Sequence, residues 1–132
     1  MISFKVKFTL ILLYFLSGVC PSYGEVLKID NNFDGKMDQW HHISNNNKIL
    51  KIEYDNNGDG KIDQTDIYEK NKTPIRAEVD RNFDGDTDQI QYYRIDGSLK
   101  KIEKDTEFSG KINRKEIFNI NGLLTNIEID SN

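Results

Sequence analysis

The sequence predicts an all-β chain: an antiparallel meander of β-hairpin repeats, built as an open curved sheet or a closed barrel. Three observations lead there. One loop recurs every 25 residues, as DNNFDGKMD (30–38), DNNGDGKID (55–63), DRNFDGDTD (80–88) and DTEFSGKIN (105–113). The segments between loops alternate apolar and polar residues, which is the signature of a half-buried strand. Each unit also holds a second turn, such as Asp96-Gly97 or Asn121-Gly122, where glycine tolerates positive φ and closes a hairpin. A fixed period of this length marks a repeat architecture.

The first 24 residues stand outside the array. Lys5 and Lys7 precede an apolar run over 8–16, and small or turn-forming residues follow at Pro21-Ser22-Tyr23-Gly24. That order is expected of a secretory signal peptide cleaved after Gly24. The run is too short for a membrane-spanning helix, which needs about 20 residues. Cys20 offers an alternative, a lipid anchor, because Ser17-Gly18-Val19-Cys20 resembles a lipobox. Val19 departs from it, since a small residue usually precedes the cysteine. Residues 25–132 are then one secreted, periplasmic or cell-surface repeat domain. With Cys20 gone it has no cysteine and so no disulfide. Its length suits one modest core.

The units follow one plan. Glu25 to Ile29 supplies a leading strand. After each loop comes a segment rich in aromatic and β-branched residues: Trp40-His41-His42-Ile43, Thr65-Asp66-Ile67-Tyr68, Ile90-Gln91-Tyr92-Tyr93 and Lys115-Glu116-Ile117-Phe118. Turns follow around Asn45-Asn46-Asn47, Lys70 to Pro74, Asp96-Gly97-Ser98 and Asn121-Gly122. Second segments at 49–54, 75–79, 99–104 and 123–129 close the units. Leu50, Ile52 and Tyr54 share one strand face, with Lys51 and Glu53 on the other. The sum is about eight or nine short strands.

Columns agree between copies. Leu27, Ile52, Ala77, Ile102 and Ile127 are in register, as are Ile43, Tyr68, Tyr93 and Phe118. They are expected to stack across neighbouring strands as a core. Phe33, Phe83 and Phe108 share a loop column with Gly58 and are expected to plug the sheet end.

The loops carry the chemistry. Side-chain oxygens fall at the first, third, fifth and ninth positions: Asp30, Asn32, Asp34 and Asp38; Asp55, Asn57, Asp59 and Asp63; Asp80, Asn82, Asp84 and Asp88. Gly35, Gly60 and Gly85 sit sixth, where the chain must turn sharply. Lys36, Lys61 and Asp86 sit seventh and offer a backbone carbonyl. Hard oxygens at alternate positions around a glycine are how a loop wraps Ca²⁺. The fourth copy is poorer, with Glu107, Ser109 and Asn113 at ligand positions.

These nine to twelve residues resemble the EF-hand calcium loop, and most closely its dockerin form: Asp55-Asn56-Asn57-Gly58-Asp59-Gly60-Lys61-Ile62-Asp63-Gln64-Thr65-Asp66 matches through the twelfth residue. The resemblance implies Ca²⁺ as cofactor and adds Asp66 as a twelfth-position ligand. A full EF-hand has a bidentate glutamate there, whereas this chain has His41, Asp66, Gln91 and Glu116. Weak binding is implied, on the order of 10⁻⁴ to 10⁻³ M as in extracellular modules. The period is also similar to β-hairpin repeats of the MORN type, without their aromatic-glycine signature. An all-α array of EF-hand or dockerin-like units is the alternative fold, disfavoured by the alternating segments and by Pro74.

Composition bounds the function. The formal net charge is −4, and more negative once Lys5 and Lys7 are removed. That argues against nucleic acid and anionic membranes, which call for basic patches. The neighbours His41 and His42 point to opposite faces of a strand and are expected to be solvated, not to chelate together. No Ser-His-Asp, Cys-His or phosphate-cradling motif appears, so no enzyme is expected. The expected function is a secreted or cell-envelope calcium-binding repeat protein that contacts an unidentified protein or envelope partner through its loop edge or an aromatic face bearing Tyr68, Tyr92 and Tyr93. The alternative is an interaction or inhibitor module whose loops are metal-free turns.

Overall fold

The computed structural model describes residues 24–69 and 73–130. All but the last residue of the expected signal peptide, Cys20 included, and residues 70–72 of the expected Lys70 turn lie outside these residues. The described chain is a single sheet of nine antiparallel strands in sequence order. They are β1 (Glu25–Ile29), β2 (Gln39–Ile43), β3 (Ile49–Tyr54), β4 (Gln64–Ile67), β5 (Arg76–Val79), β6 (Gln89–Tyr93), β7 (Leu99–Lys104), β8 (Arg114–Phe118) and β9 (Leu124–Ile129). No helix is present among the described residues, which excludes the all-α alternative. The sheet is open: β1 pairs only with β2 and β9 only with β8. No described helix is long and apolar enough to cross a membrane.

The strand pattern follows from two kinds of turn. At the end away from the loops, Ser44 and Lys48, Arg94 and Ser98, and Asn119 and Leu123 close tight hairpins through N–H to carbonyl bonds of 2.8, 2.8 and 2.9 Å. Each contains one left-handed residue: Asn47 (φ 58°), Gly97 (φ 83°) or Gly122 (φ 76°). Asparagine and glycine tolerate that region best. Three pairings slip by one residue beside these turns, at His42/Ile43, Tyr92/Tyr93 and Ile117/Phe118.

The second unit differs for a reason that Pro74 supplies. Pro74 stands where Ile49, Leu99 and Leu124 begin their strands in the other units. Proline has no N–H to give to the ladder. Strand β5 accordingly starts only at Arg76, and β4 ends at Ile67.

The expected apolar core is corrected. Leu27, Ile52, Ala77, Ile102 and Ile127 do lie on one rung of the sheet. They occupy alternate strands, and His41, Asp66, Gln91 and Glu116 fill the positions between them. Residues one strand apart belong to opposite halves of a hairpin, so the 25-residue period aligns only every second strand. Ladder spacing of about 4.8 Å therefore becomes nearly 10 Å between the aliphatic side chains. No second layer covers the sheet among the described residues, and Ile52 and Ala77 are the only buried hydrophobics. Stability must come instead from cross-strand pairs, each contributing about 0.2–1 kcal/mol.

The two faces have different chemistry. One carries the rung just described, with Tyr54, Tyr68 and Tyr93 beside it. The opposite face carries ion pairs at the 25-residue period: Lys51–Glu53, Arg76–Glu78 and Lys101–Glu103. Tyr92 belongs there, with its ring 4.0 Å from Lys101 Nζ and its hydroxyl donating to Glu103 at 2.9 Å. The expected single aromatic face is thus split, because Tyr92 and Tyr93 are neighbours on a strand.

Candidate functional site

All four nine-residue loops project from the same end of the sheet, because each joins an odd strand to the next even one. Adjacent loops are tied together. The N–H of Asp55, Asp80, Asp105 and Asp130 donates to the carbonyl of Asp38, Asp63, Asp88 and Asn113 at 2.9, 2.8, 2.7 and 2.8 Å. Each loop's ninth residue also donates its N–H to the last residue of the strand before the loop, as Asp63 does to Tyr54 at 2.8 Å. The ladder thereby continues one step into the loops.

Within a loop the leading aspartate organises the turn. Asp55 Oδ1 accepts the N–H of Gly58 at 2.7 Å and its Oδ2 that of Gly60 at 2.8 Å. Asp80 does the same for Phe83 and Gly85, both at 2.7 Å. Asp30 accepts from Asp34 and Gly35 at 3.2 and 2.9 Å. Two positions per loop must be left-handed, the fourth and the sixth: Gly58 and Gly60 at φ 76° and 90°, or Phe83 and Gly85 at φ 64° and 102°.

The ninth aspartate closes the loop from its other end. Asp63 Oδ2 accepts the N–H of Asn56 at 2.7 Å and of Asn57 at 3.1 Å. Asp88 accepts from Arg81 and Asn82, and Asp38 from Asn31 and Asn32. Asp63 and Asp88 keep only 3% and 2% of their surface exposed, and Asp55 and Asp80 7% each.

The third and fifth positions make a local chain. Asn57 Oδ1 accepts the Asp59 N–H at 2.8 Å, and Asp59 Oδ1 accepts the Lys61 N–H at 2.8 Å. Asn82, Asp84 and Asp86 repeat this at 3.1 and 2.8 Å, and Asn32, Asp34 and Lys36 at 2.9 and 2.8 Å. The bond from Asp86, and then the one from Asn82 Nδ2, holds the Asp84 carboxyl below its ordinary pKa. Lys36 reaches across to the carbonyl of Gly58 at 3.4 Å, in a cleft that Asp34, Asp55 and Asn57 also line.

The fourth loop keeps this shape with fewer carboxylates. Asp105, 1% exposed, accepts the N–H groups of Gly110 and Lys111 at 2.7 and 3.0 Å. Burial alone would raise its pKa, but the backbone N–H bonds outweigh it and hold the carboxyl down. Asn113 replaces the ninth aspartate and accepts from Thr106 through both N–H and hydroxyl at 3.0 Å.

The donor set is of the hard-oxygen kind that Ca²⁺ takes. Among the described residues, however, no three His, Cys, Asp or Glu side chains converge as a metal-holding group. In the first three loops the structure brings the first, third, fifth and ninth residues together and spends their oxygens on backbone N–H groups.

Asp66 stands apart from the other expected ligands. It lies in β4, between Ile52 and Ala77 on the rung, and bonds to Tyr54 Oη at 3.4 Å and Gln64 Nε2 at 2.9 Å. Its EF-hand position is on a strand because pairing begins at Gln64, directly after the loop. The phenylalanine plugs are also corrected. Phe33 is 90% exposed, and Phe83 and Phe108 are 45% exposed. A left-handed backbone at the fourth position turns these side chains outward. His41 and His42 do point to opposite faces, but both are half-buried. His42 Nε2 meets Glu53 at 2.5 Å, and His41 Nε2 meets Gln39 at 3.1 Å.

Sequence reading missed Tyr54 and Gln64 as partners of Asp66. The signal was present: Tyr54 faces Gln64 across the hairpin, and Gln64 lies two residues from Asp66 on the same strand face.

Fold and loops together define a class, the open single-sheet β-hairpin repeat with aspartate-closed loops. No family model matches the chain, and no curated protein sequence matches it. A solved structure, a GtfA/B complex bound to UDP and GlcNAc, is similar with a TM-score of 0.56 at 13% identity. The match covers 89% of this chain and 26% of that one, so the chain spans about a quarter of its length. At that identity the likeness is one of fold.

Proposed function

We propose that this is a non-enzymatic calcium-binding repeat protein of the secreted or cell-envelope class, in which Ca²⁺ stiffens the loop edge that meets a partner. The carrying observation is the burial of paired aspartates in one repeated arrangement, with Asp63 and Asp88 only 3% and 2% exposed. Buried carboxylates crowded with further acids favour a bound cation. Asp30, Asn32, Asp34 and Asp38, with their counterparts in the second and third loops, would hold the ion, and Lys36, Lys61 and Asp86 would add carbonyls. The ion would supply charge neutralisation and loop order, not reaction chemistry.

Calorimetric titration with Ca²⁺ tests this. Three weak sites are expected, and Asp59→Ala should remove one. Binding should also raise the melting temperature. An absence of heat, with unchanged stability and proteolysis in millimolar Ca²⁺, overturns the proposal.

A second reading is favoured by a specific observation. The loop carboxylates are already satisfied by backbone N–H groups, and the fourth loop keeps its form with Ser109 and Asn113. The protein would then be an interaction or inhibitor module with structural turns. It would retain its partner in EDTA, which separates the two readings.

A further inference from the structure

Asp66 has a counterpart 50 residues on, Glu116, at the same place on the same rung. Glu116 lies between Lys104 on one strand and Arg114 on its own. Lys104 Nζ meets its Oε2 at 3.0 Å, and Arg114 Nε meets its Oε1 at 2.8 Å. At Asp66 the corresponding residues are Tyr54 and Gln64, in the same geometry but neutral. One carboxylate is thus neutralised twice over, and the other is held only by uncharged donors. Among the described residues, no ion pair involves Asp66.

The surroundings of Asp66 differ from the rest of the sheet as well. Its rung neighbours Ile52 and Ala77, 7% and 3% exposed, are the only buried hydrophobics among the described residues. Ala77 is the one small residue in a column otherwise filled by leucine and isoleucine. Tyr68 lies two residues on from Asp66, just past the end of β4, where its N–H still donates to the Leu50 carbonyl. Tyr93 lies two residues beyond Gln91, which faces Ala77. Burial first, and then the charge of Asp66, pushes up the phenols of Tyr54, Tyr68 and Tyr93. An unneutralised carboxylate therefore sits among three phenols over the most sheltered part of the sheet.

We propose that Asp66, with Tyr54, Tyr68 and Tyr93 around it, is a binding site for an organic monocation presenting an ammonium or guanidinium group. The ligand's cation takes the place that Lys104 and Arg114 fill at Glu116. Phenol oxygens accept its remaining N–H groups, and aromatic rings add cation–π attraction at a partly desolvated site. A neutral alkyl group of equal shape gains none of this. The site is separate from the calcium loops, so either proposal can fail alone.

The test is an NMR titration of the full secreted protein with blocked lysine, blocked arginine and blocked norleucine as the neutral control. Saturable shifts at Tyr54, Tyr68 and Tyr93 are expected with the two cations and not with norleucine. Asp66→Asn should weaken cation binding by about tenfold or more. Tyr54→Phe, which removes one accepting phenol but leaves Asp66 charged, should weaken cation binding less than Asp66→Asn does. Equal binding by Asp66→Asn, or equal binding of norleucine, overturns the proposal, as does no saturable binding of either cation. Lys70 and Lys72 lie outside the described residues, so Lys70→Ala/Lys72→Ala is included. Binding seen only in that double variant overturns the proposal too, because the chain would then fill its own site.

Discussion

Asp88 Oδ2 accepts the backbone N–H of Arg81 at 2.7 Å, joining the ninth position of the third loop to its second. The same bond runs from Asn56 to Asp63 at 2.7 Å and from Asn31 to Asp38 at 2.9 Å. It makes a nine-residue excursion into a closed loop, and at Asp63 and Asp88 it leaves the carboxylate almost without water.

Asp88→Ala should therefore be costly. It strands the N–H groups of Arg81 and Asn82, and the loss is expected at about 1–3 kcal/mol. Asp84→Ala, at an exposed position, should cost less. Urea unfolding of both variants checks the order, and equal midpoints would refute it.

Phe33 offers the opposite opportunity. It is 90% exposed and sits at φ 62°, where the second loop uses Gly58. Left-handed backbone costs a residue with a Cβ about 1–2 kcal/mol. Phe33→Gly is expected to raise stability by up to about 1 kcal/mol, part of the gain being lost to unfolded-state entropy. Gly60→Ala, at φ 90°, should lower it. A denaturation midpoint that falls in Phe33→Gly would contradict the strain argument.

Acid should loosen the sheet through Glu116. Burial alone would raise its pKa, but hydrogen bonds and charges from Lys104 and Arg114 outweigh that and hold it below the ordinary 4.5. A folded pKa below the unfolded one means that the contribution is complete above pH 4.5 and is lost as pH falls through the folded value. Stability measured below pH 4.5 should fall less steeply in Glu116→Gln than in the parent.

Alkali should act through Tyr54. Burial first, then the charge of Asp66, pushes its phenol from 10.0 up to about 12. A raised pKa contributes stability below pH 10 that is lost as pH rises towards 12. Tyrosinate absorbance should show a late-titrating phenol, and Asp66→Asn should move it down. An unmoved titration would sever the link between the two residues.

Much of this fold is legible in the residues. The alternation around Ile52 places β3 over Ile49–Tyr54, and Asn121-Gly122 marks the last hairpin turn. Pro74 hides its effect until the units are aligned, when it shows why β5 begins late. The outward turn of Phe33 is not legible from its side chain, because backbone strain at the fourth loop position decides it. The interleaving of Ile52, Asp66 and Ala77 on one rung was equally hidden, since a 25-residue repeat contains two strands and aligns only alternate ones.

The sequence by itself determined the period, the strand and turn residues and the oxygen-rich loops, because these depend on local backbone preference and side-chain alternation. Only the tertiary structure decided that the sheet stays open and single-layered. It also decided that Asp66 leaves the loops to sit between Ile52 and Ala77. These outcomes depend on which strand lies beside which, and inter-strand hydrogen bonds set that across residues far apart in the chain.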